Sequence, residues 1–181
     1  GISVCAYPGR EVDPAAAERA RAACSSGLCA DVESKSDATF ESLFPSDCWI
    51  FGDALEHLRD PWGLLVRMRK RLQPGALVIA CIPNAQHWSV QARLNSREFR
   101  YEDKGLLDRT HLRWFTRITI MDLFTSTGYT IIHGAARIAE EPERNIVLPS
   151  IRAMAIAMGT DPQVAVNDAV PVQYVVKATP A

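Results

Sequence analysis

The chain has 181 residues, 48% of them hydrophobic, and 20 basic against 21 acidic side chains. That length and mixture fit one folded domain with its own core, and they exclude wholesale disorder, collagen-like repeats and a general nucleic-acid binder, which carries a basic surplus. No apolar run approaches the ~20 residues needed to cross a bilayer, so no membrane partner is expected. The charge is uneven: residues 1–58 carry net −6, residues 59–117 net +7 and residues 118–181 net −2. The basic middle either attracts an anionic substrate or forms a solvated helix face with Arg67, Arg69, Lys70 and Arg71.

In chain order, Ile2 to Tyr7 reads as a short strand closed by Pro8-Gly9. Asp13-Pro14 then opens a helix, Asp13 as cap and Pro14 in the first turn, where a missing N–H costs nothing. Gly27 ends it. Leu28 to Val32 reads as a second strand, and Cys48 to Gly52 as a third, fully apolar and therefore expected to be buried on both faces. Asp60-Pro61 repeats the capping signal for a helix to about Leu72, and Ala76 to Ile82 is another buried strand. A short helix is expected near Trp88 to Leu94 and a longer one over Ile118 to Thr127 with Gly128 behind it. Tyr129 to Ile138 reads as a strand. Residues 145–168 read as helical with breaks at Pro149, Gly159 and Pro162, and Val172 to Ala178 is the last strand. This alternation predicts an α/β fold with a mostly parallel sheet and an antiparallel last strand. One domain over residues 1–181 is expected, with residues 140–170 a cap or dimer-forming insert. Within that insert, Ile146 to Met158 reads as a core helix, a lid over an apolar substrate, or a homodimer contact.

The five cysteines form no CxxC pair and no spaced Cys/His cluster, so no metal site is expected. Reduced, buried thiols in a cytoplasmic protein are the plain reading. The chain opens on Gly1 without a basic-then-apolar leader, so no signal peptide is expected and a fragment is.

Ligands of open α/β sheets bind beyond the carboxyl ends of the strands, so the residues there are the first candidates. After the first strand, Glu11 is placed to accept hydrogen bonds from ribose hydroxyls, since Asp13 is engaged as a cap. Asp31 after the second is placed to accept from an exocyclic amine, with Val32 against the ring. After the third strand, Gly52 admits a ligand close to the backbone, and Asp53, Glu56 and His57 set three titratable groups in five positions. Each has an ordinary alternative, a solvated acid, a turn former or a buttress of the next helix.

The runs WIFGDALEHLRDPW at 49–62, LQPGALVIACIPNAQHW at 72–88 and GLLDRTHLRWFTRITIMDLFTSTGY at 105–129 resemble class I S-adenosylmethionine-dependent methyltransferases. They are most similar to the small-molecule branch related to the ubiquinone-biosynthesis O-methyltransferases. EVDPAAAERAR at 11–21 and CADVES at 29–34 resemble that family's ribose-side and adenine-side acids. The likeness runs over about residues 10–138, with LDRTHLRWFTR its most specific piece. One departure stands out: the family's central first strand with its GxGxG loop has no counterpart here, and the first strand of this chain matches the family's second.

The resemblance implies a Rossmann-like methyltransferase sheet and S-adenosylmethionine as methyl donor, held by Glu11, Asp31, Val32, Gly52 and Asp53. It implies a small-molecule acceptor, anionic if Arg109 and Arg113 hold it together with Asn84. Methyl transfer is a direct displacement that needs in-line positioning and often a base. His111 is the first candidate for that base and His57 the second, because imidazole titrates near neutral pH. Two rivals remain: a degenerate domain that kept the fold as a binding or scaffold module, and another nucleotide-using α/β enzyme such as a dehydrogenase.

Overall fold

The computed structural model describes residues 2–5, 26–29, 32, 33, 40, 41 and 43–181. Glu11 and Asp31, and the helix expected after Asp13, lie outside the described residues. Strands β1 (Ile2–Cys5) and β2 (Ser26–Cys29) pair in parallel. A second sheet holds β3 (Cys48–Gly52), β4 (Leu77–Pro83), β5 (Tyr129–Arg137) and β6 (Gln173–Pro180) in the order β3-β4-β6-β5. β3 runs parallel to β4, whereas β6 is antiparallel to both of its neighbours, as the interrupted connector before it suggested. The architecture is thus α/β, with three strands of the larger sheet running one way and β6 the other.

The helices start where the capping signals stand. Asp60 Oδ1 accepts from Gly63 N–H at 2.9 Å to open α1 (Pro61–Arg69). His87 caps α2 (Trp88–Asn95), and a capping box of Thr116 and Thr119 opens α3 (Arg117–Ser126). Gly128, at φ 86, turns the chain out of α3, a conformation that favours glycine. Next, α4 (Arg144–Ala157) runs through Pro149, against the break expected there. Pro149 removes one bond near the open amino end of α4, and the ladder resumes beyond it. The breaks expected at Gly159, φ 69, and Pro162 are present, and α5 (Pro162–Asp168) starts there, capped by Asp161 through Gln163 and Val164 N–H.

The core lies on one face of the larger sheet. Val78, Ala80 and Ile82 of β4 and Tyr174, Val176 and Ala178 of β6 alternate inward. They meet Leu64, Leu65 and Met68 of α1 and Ile120, Leu123 and Phe124 of α3. Each large side chain so buried contributes about 1.5–3 kcal/mol. Tyr129 joins them and spends its hydroxyl on Leu65 O at 2.9 Å. β3 departs from expectation: only Phe51 is buried, while Ile50 is 73% exposed on the opposite face. Its outer edge has no pairing strand among the described residues, so the apolar run is covered on one side only. Cys48 is likewise exposed rather than buried. No helix among the described residues is long and apolar enough to cross a membrane.

Candidate functional site

β3 and β4 are parallel neighbours, so both deliver the chain to the same rim. From β3 the chain passes Gly52 and Asp53 into a 3-10 turn at Leu55–His57. Leu55 and Leu58 are 0% and 1% exposed, and they pin the turn to the core. Glu56, between them, is carried inward with them: it is 1% exposed, and neither carboxylate oxygen has a hydrogen-bond partner.

The segment after α2 folds back across this turn. Leu107 and Phe115, each 2% exposed, anchor its ends. Between them, the N–H groups of Leu112 and Arg113 both donate to Glu56 O, at 2.8 and 2.9 Å. His57 Nδ1 lies 3.1 Å from Thr110 O, and His111 Nδ1 lies 3.3 Å from Leu106 O. A carbonyl only accepts, so these contacts place the proton of each neutral ring on Nδ1 and leave Nε2 as a lone pair. The two rings meet edge to face, with centroids 4.8 Å apart. Asp108 is turned away to its own loop, where Oδ1 accepts from Thr110 N–H and Oγ1–H at 2.8 and 2.6 Å.

Burial sets the charges here. It pushes the Glu56 carboxyl up to about 8, with Asp53 and Asp108 adding to the rise against the pull of its own backbone. Burial also lowers His111, and the His57 charge lowers it further, against Leu106 O, Asp108 and Asp53. Neutral imidazole is therefore the resting form of His111 near pH 7. Partial burial opposes ionisation of Asp108, but the Thr110 bonds and the two histidines outweigh it and hold that carboxyl low.

One ligand atom from each of Glu56, His57 and His111 lies within 4.8 Å of the others. Neither Glu56 oxygen is hydrogen-bonded to either ring. A divalent ion with bonds of about 2.1 Å holds neighbouring donors roughly 3–4 Å apart, so these three donors could hold one if the widest gap closed slightly. Sequence reading assigned no metal here and left Glu56 as one of three acids or bases at a strand end; its burial depends on the Leu55 and Leu58 anchors.

The other expected residues fall as follows. Gly52 is exposed, and nothing stands within 4 Å of where a Cβ would be, an open cradle at the strand end that suits a close-lying cofactor. Asp53, at φ 49, is held in a left-handed conformation rare outside glycine. Val32 is 4% exposed and packs in the hydrophobic core, where sequence reading had set it against a ligand ring. Asn84 is fully buried: its Nδ2 donates to Asp168 O and Pro171 O at 2.7 and 2.8 Å, and its Oδ1 accepts from Gln86 N–H at 2.9 Å. Both of its donors thus serve the fold. Arg109 pairs with Asp103 at 2.7 Å, and Arg113 is spent on the Arg59 and Leu112 carbonyls. Trp114 borders His111, ring centroids 5.8 Å apart, and leads outward to Phe99 and Tyr101.

A family model described as a methyltransferase domain matches residues 2–134. No curated protein matches the sequence. Among solved structures, a SAM-dependent methyltransferase from Archaeoglobus fulgidus superposes with a TM-score of 0.58 at 12% identity, over 98% of this chain and 75% of that one. One from Methanosarcina mazei gives 0.56 at 11%, over 99% of this chain and 81% of its own. The N-methyltransferase NodS from Bradyrhizobium japonicum, solved with S-adenosyl-L-homocysteine, gives 0.53 at 13%, over 99% and 65%. At these identities the likeness is one of fold.

Proposed function

The chain belongs to the methyltransferase-domain family, and from that premise we propose that it moves a methyl group from S-adenosylmethionine to an oxygen or nitrogen of a small-molecule acceptor. The small-molecule, ubiquinone-biosynthesis-type branch is part of this proposal, supported by the LDRTHLRWFTR stretch at 107–117. S-adenosylmethionine is the cofactor; bound, it supplies an electrophilic methyl on a sulfonium. Gly52 opens the strand end to it, and Glu11 and Asp31 are proposed for its ribose and adenine.

The observation that carries the reading is the His57–His111 pair, with both Nδ1 atoms tied to backbone carbonyls and the tautomer of His111 thereby fixed with its lone pair on Nε2. His111 Nε2 would take the acceptor's proton as the acceptor's lone pair displaces the sulfur from the methyl carbon, the sulfur–methyl bond breaking and S-adenosylhomocysteine leaving. Trp114 packs edge to face beside it and covers part of the imidazole. A neutral base is ready for this at pH 7 because burial disfavours the charged ring.

The clustering of three ligand-type side chains supports a second reading of the same site: a divalent ion held by Glu56, His57 and His111 would acidify an acceptor hydroxyl. Thermal unfolding in chelator and then with excess Mn2+ or Zn2+ separates the two. A rise in Tm that disappears in Glu56→Ala is the metal outcome. No shift with either ion leaves His111 as a free base.

A further inference from the structure

Three strands bring a carboxylate, an amide and a guanidinium into one line at the rim of the sheet. In the strand register Gly52 stands opposite Cys81, Pro83 opposite Gln173, and Gln173 opposite Arg137. Asp53 follows Gly52 directly. Gln173 Nε2 donates to Asp53 Oδ1 at 2.5 Å, and Arg137 Nη1 donates to Gln173 Oε1 at 2.7 Å. The backbone holds the row too, through Asp53 N–H to Cys81 O at 3.3 Å and Val172 N–H to Arg137 O at 2.9 Å.

The two charges orient the Gln173 amide, nitrogen toward the carboxylate and oxygen toward the guanidinium. An amide oxygen aims an arginine without neutralising it. Arg93, Arg100, Arg109 and Arg117 each have a carboxylate within 3.1 Å. Among the described residues Arg137 has none. It is exposed on a strand rather than a loop, with most of its donors unspent. The position also matters. The Asp53 charge reaches Glu56 and His111, and the charges of Asp53 and Arg137 both reach the Cys81 thiol, with opposite sign. Arg137 therefore stands one amide beyond Asp53 from the imidazole pair.

We propose that Arg137 is the anion anchor of the methyl acceptor, pairing with a carboxylate or phosphate group on it, and that Gln173 is the positioning residue that aims the guanidinium. The anion site stands on this geometry; its service to an acceptor rests on the methyltransferase reading. Of the arginines that the sequence suggested for this task, Arg109 faces Asp103 in an exposed ion pair and Arg113 donates to the Arg59 and Leu112 carbonyls.

The test follows the arginine Nε–H resonances by NMR while acetate, or separately inorganic phosphate, is added at constant ionic strength. The Arg137 signal, assigned with Arg137→Gln, moves along a saturating curve with at least one anion, and Gln173→Ala weakens that binding at least threefold. Whichever of acetate and phosphate saturates first names the group. Arg97, exposed near the end of α2, gives the reference for general ionic attraction. A response at Arg137 that is linear, no stronger than at Arg97, or unchanged in Gln173→Ala overturns the site. Binding of S-adenosylhomocysteine is measured alongside. An anion site in a protein that does not bind it overturns the acceptor role, and its binding with no anion site overturns the anchor alone.

Discussion

Replacing His111 with alanine lowers turnover by about 10²–10⁴ while leaving S-adenosylhomocysteine affinity within a factor of two. The reason is positional. The His111 ring is held by Leu106 O on one nitrogen, packed edge to face on His57 and bordered by Trp114. Its Nε2 is the atom proposed to serve the acceptor, and none of these contacts involves Gly52, which is proposed for the cofactor. His57→Ala has the smaller kinetic effect, because His57 is bound to Thr110 O and acts on His111 mainly by packing and charge. Steady-state kinetics with matched circular dichroism decide this. Equal turnover in His111→Ala and the parent would reduce His111 to an anchor of its loop.

Glu141→Ala destabilises the fold by about 2–4 kcal/mol, measured by urea unfolding at pH 7. The Glu141 carboxylate accepts from His87 Nε2–H at 3.1 Å and from Trp88 Nε1–H at 2.9 Å. His87 Nδ1 meanwhile accepts from Ser89 N–H as the cap of α2, so the neutral ring uses both nitrogens. His87 is 0% exposed, and each donor stranded by the substitution costs about 1–3 kcal/mol. Burial lowers the His87 pKa, and Glu141 only partly offsets it. A base with a lowered folded pKa binds fewer protons folded than unfolded, so its contribution weakens as pH falls below about 6.5. Removing Glu141 takes away the offset, so the acid loss of stability is steeper in the variant. A variant as stable as the parent, with the same pH slope, would show that the clamp carries no load.

Much of this fold was legible in the sequence because its signals are local. Asp60-Pro61 and Gly128 sit at helix ends for reasons of backbone chemistry, and ALVIACI at 76–82 is a strand by apolar content alone. The antiparallel last strand followed from a connector too interrupted to be one crossover helix. What the sequence did not reveal depends on distance along the chain. Ile50 is apolar yet 73% exposed, because burial of a strand face depends on what covers it. Asn84 looked like a substrate ligand, but its partners, Asp168 and Pro171, come from far downstream. Asp53 and Gln173 are 120 residues apart, and only the register of four strands aligns them with Arg137. His111 was readable as a candidate base, whereas the buried Glu56 beneath it became visible only through its packing.

The central claim, that this is an S-adenosylmethionine-dependent methyltransferase, is tested most directly by calorimetry with S-adenosylhomocysteine on this chain and on any longer native form. Saturable one-to-one binding is predicted, weakened by roughly 1.5–3 kcal/mol in Glu11→Ala, the scale of hydrogen bonds to a charged group. Absence of binding by both proteins would contradict the account and leave a methyltransferase fold that serves as a binding or scaffold module.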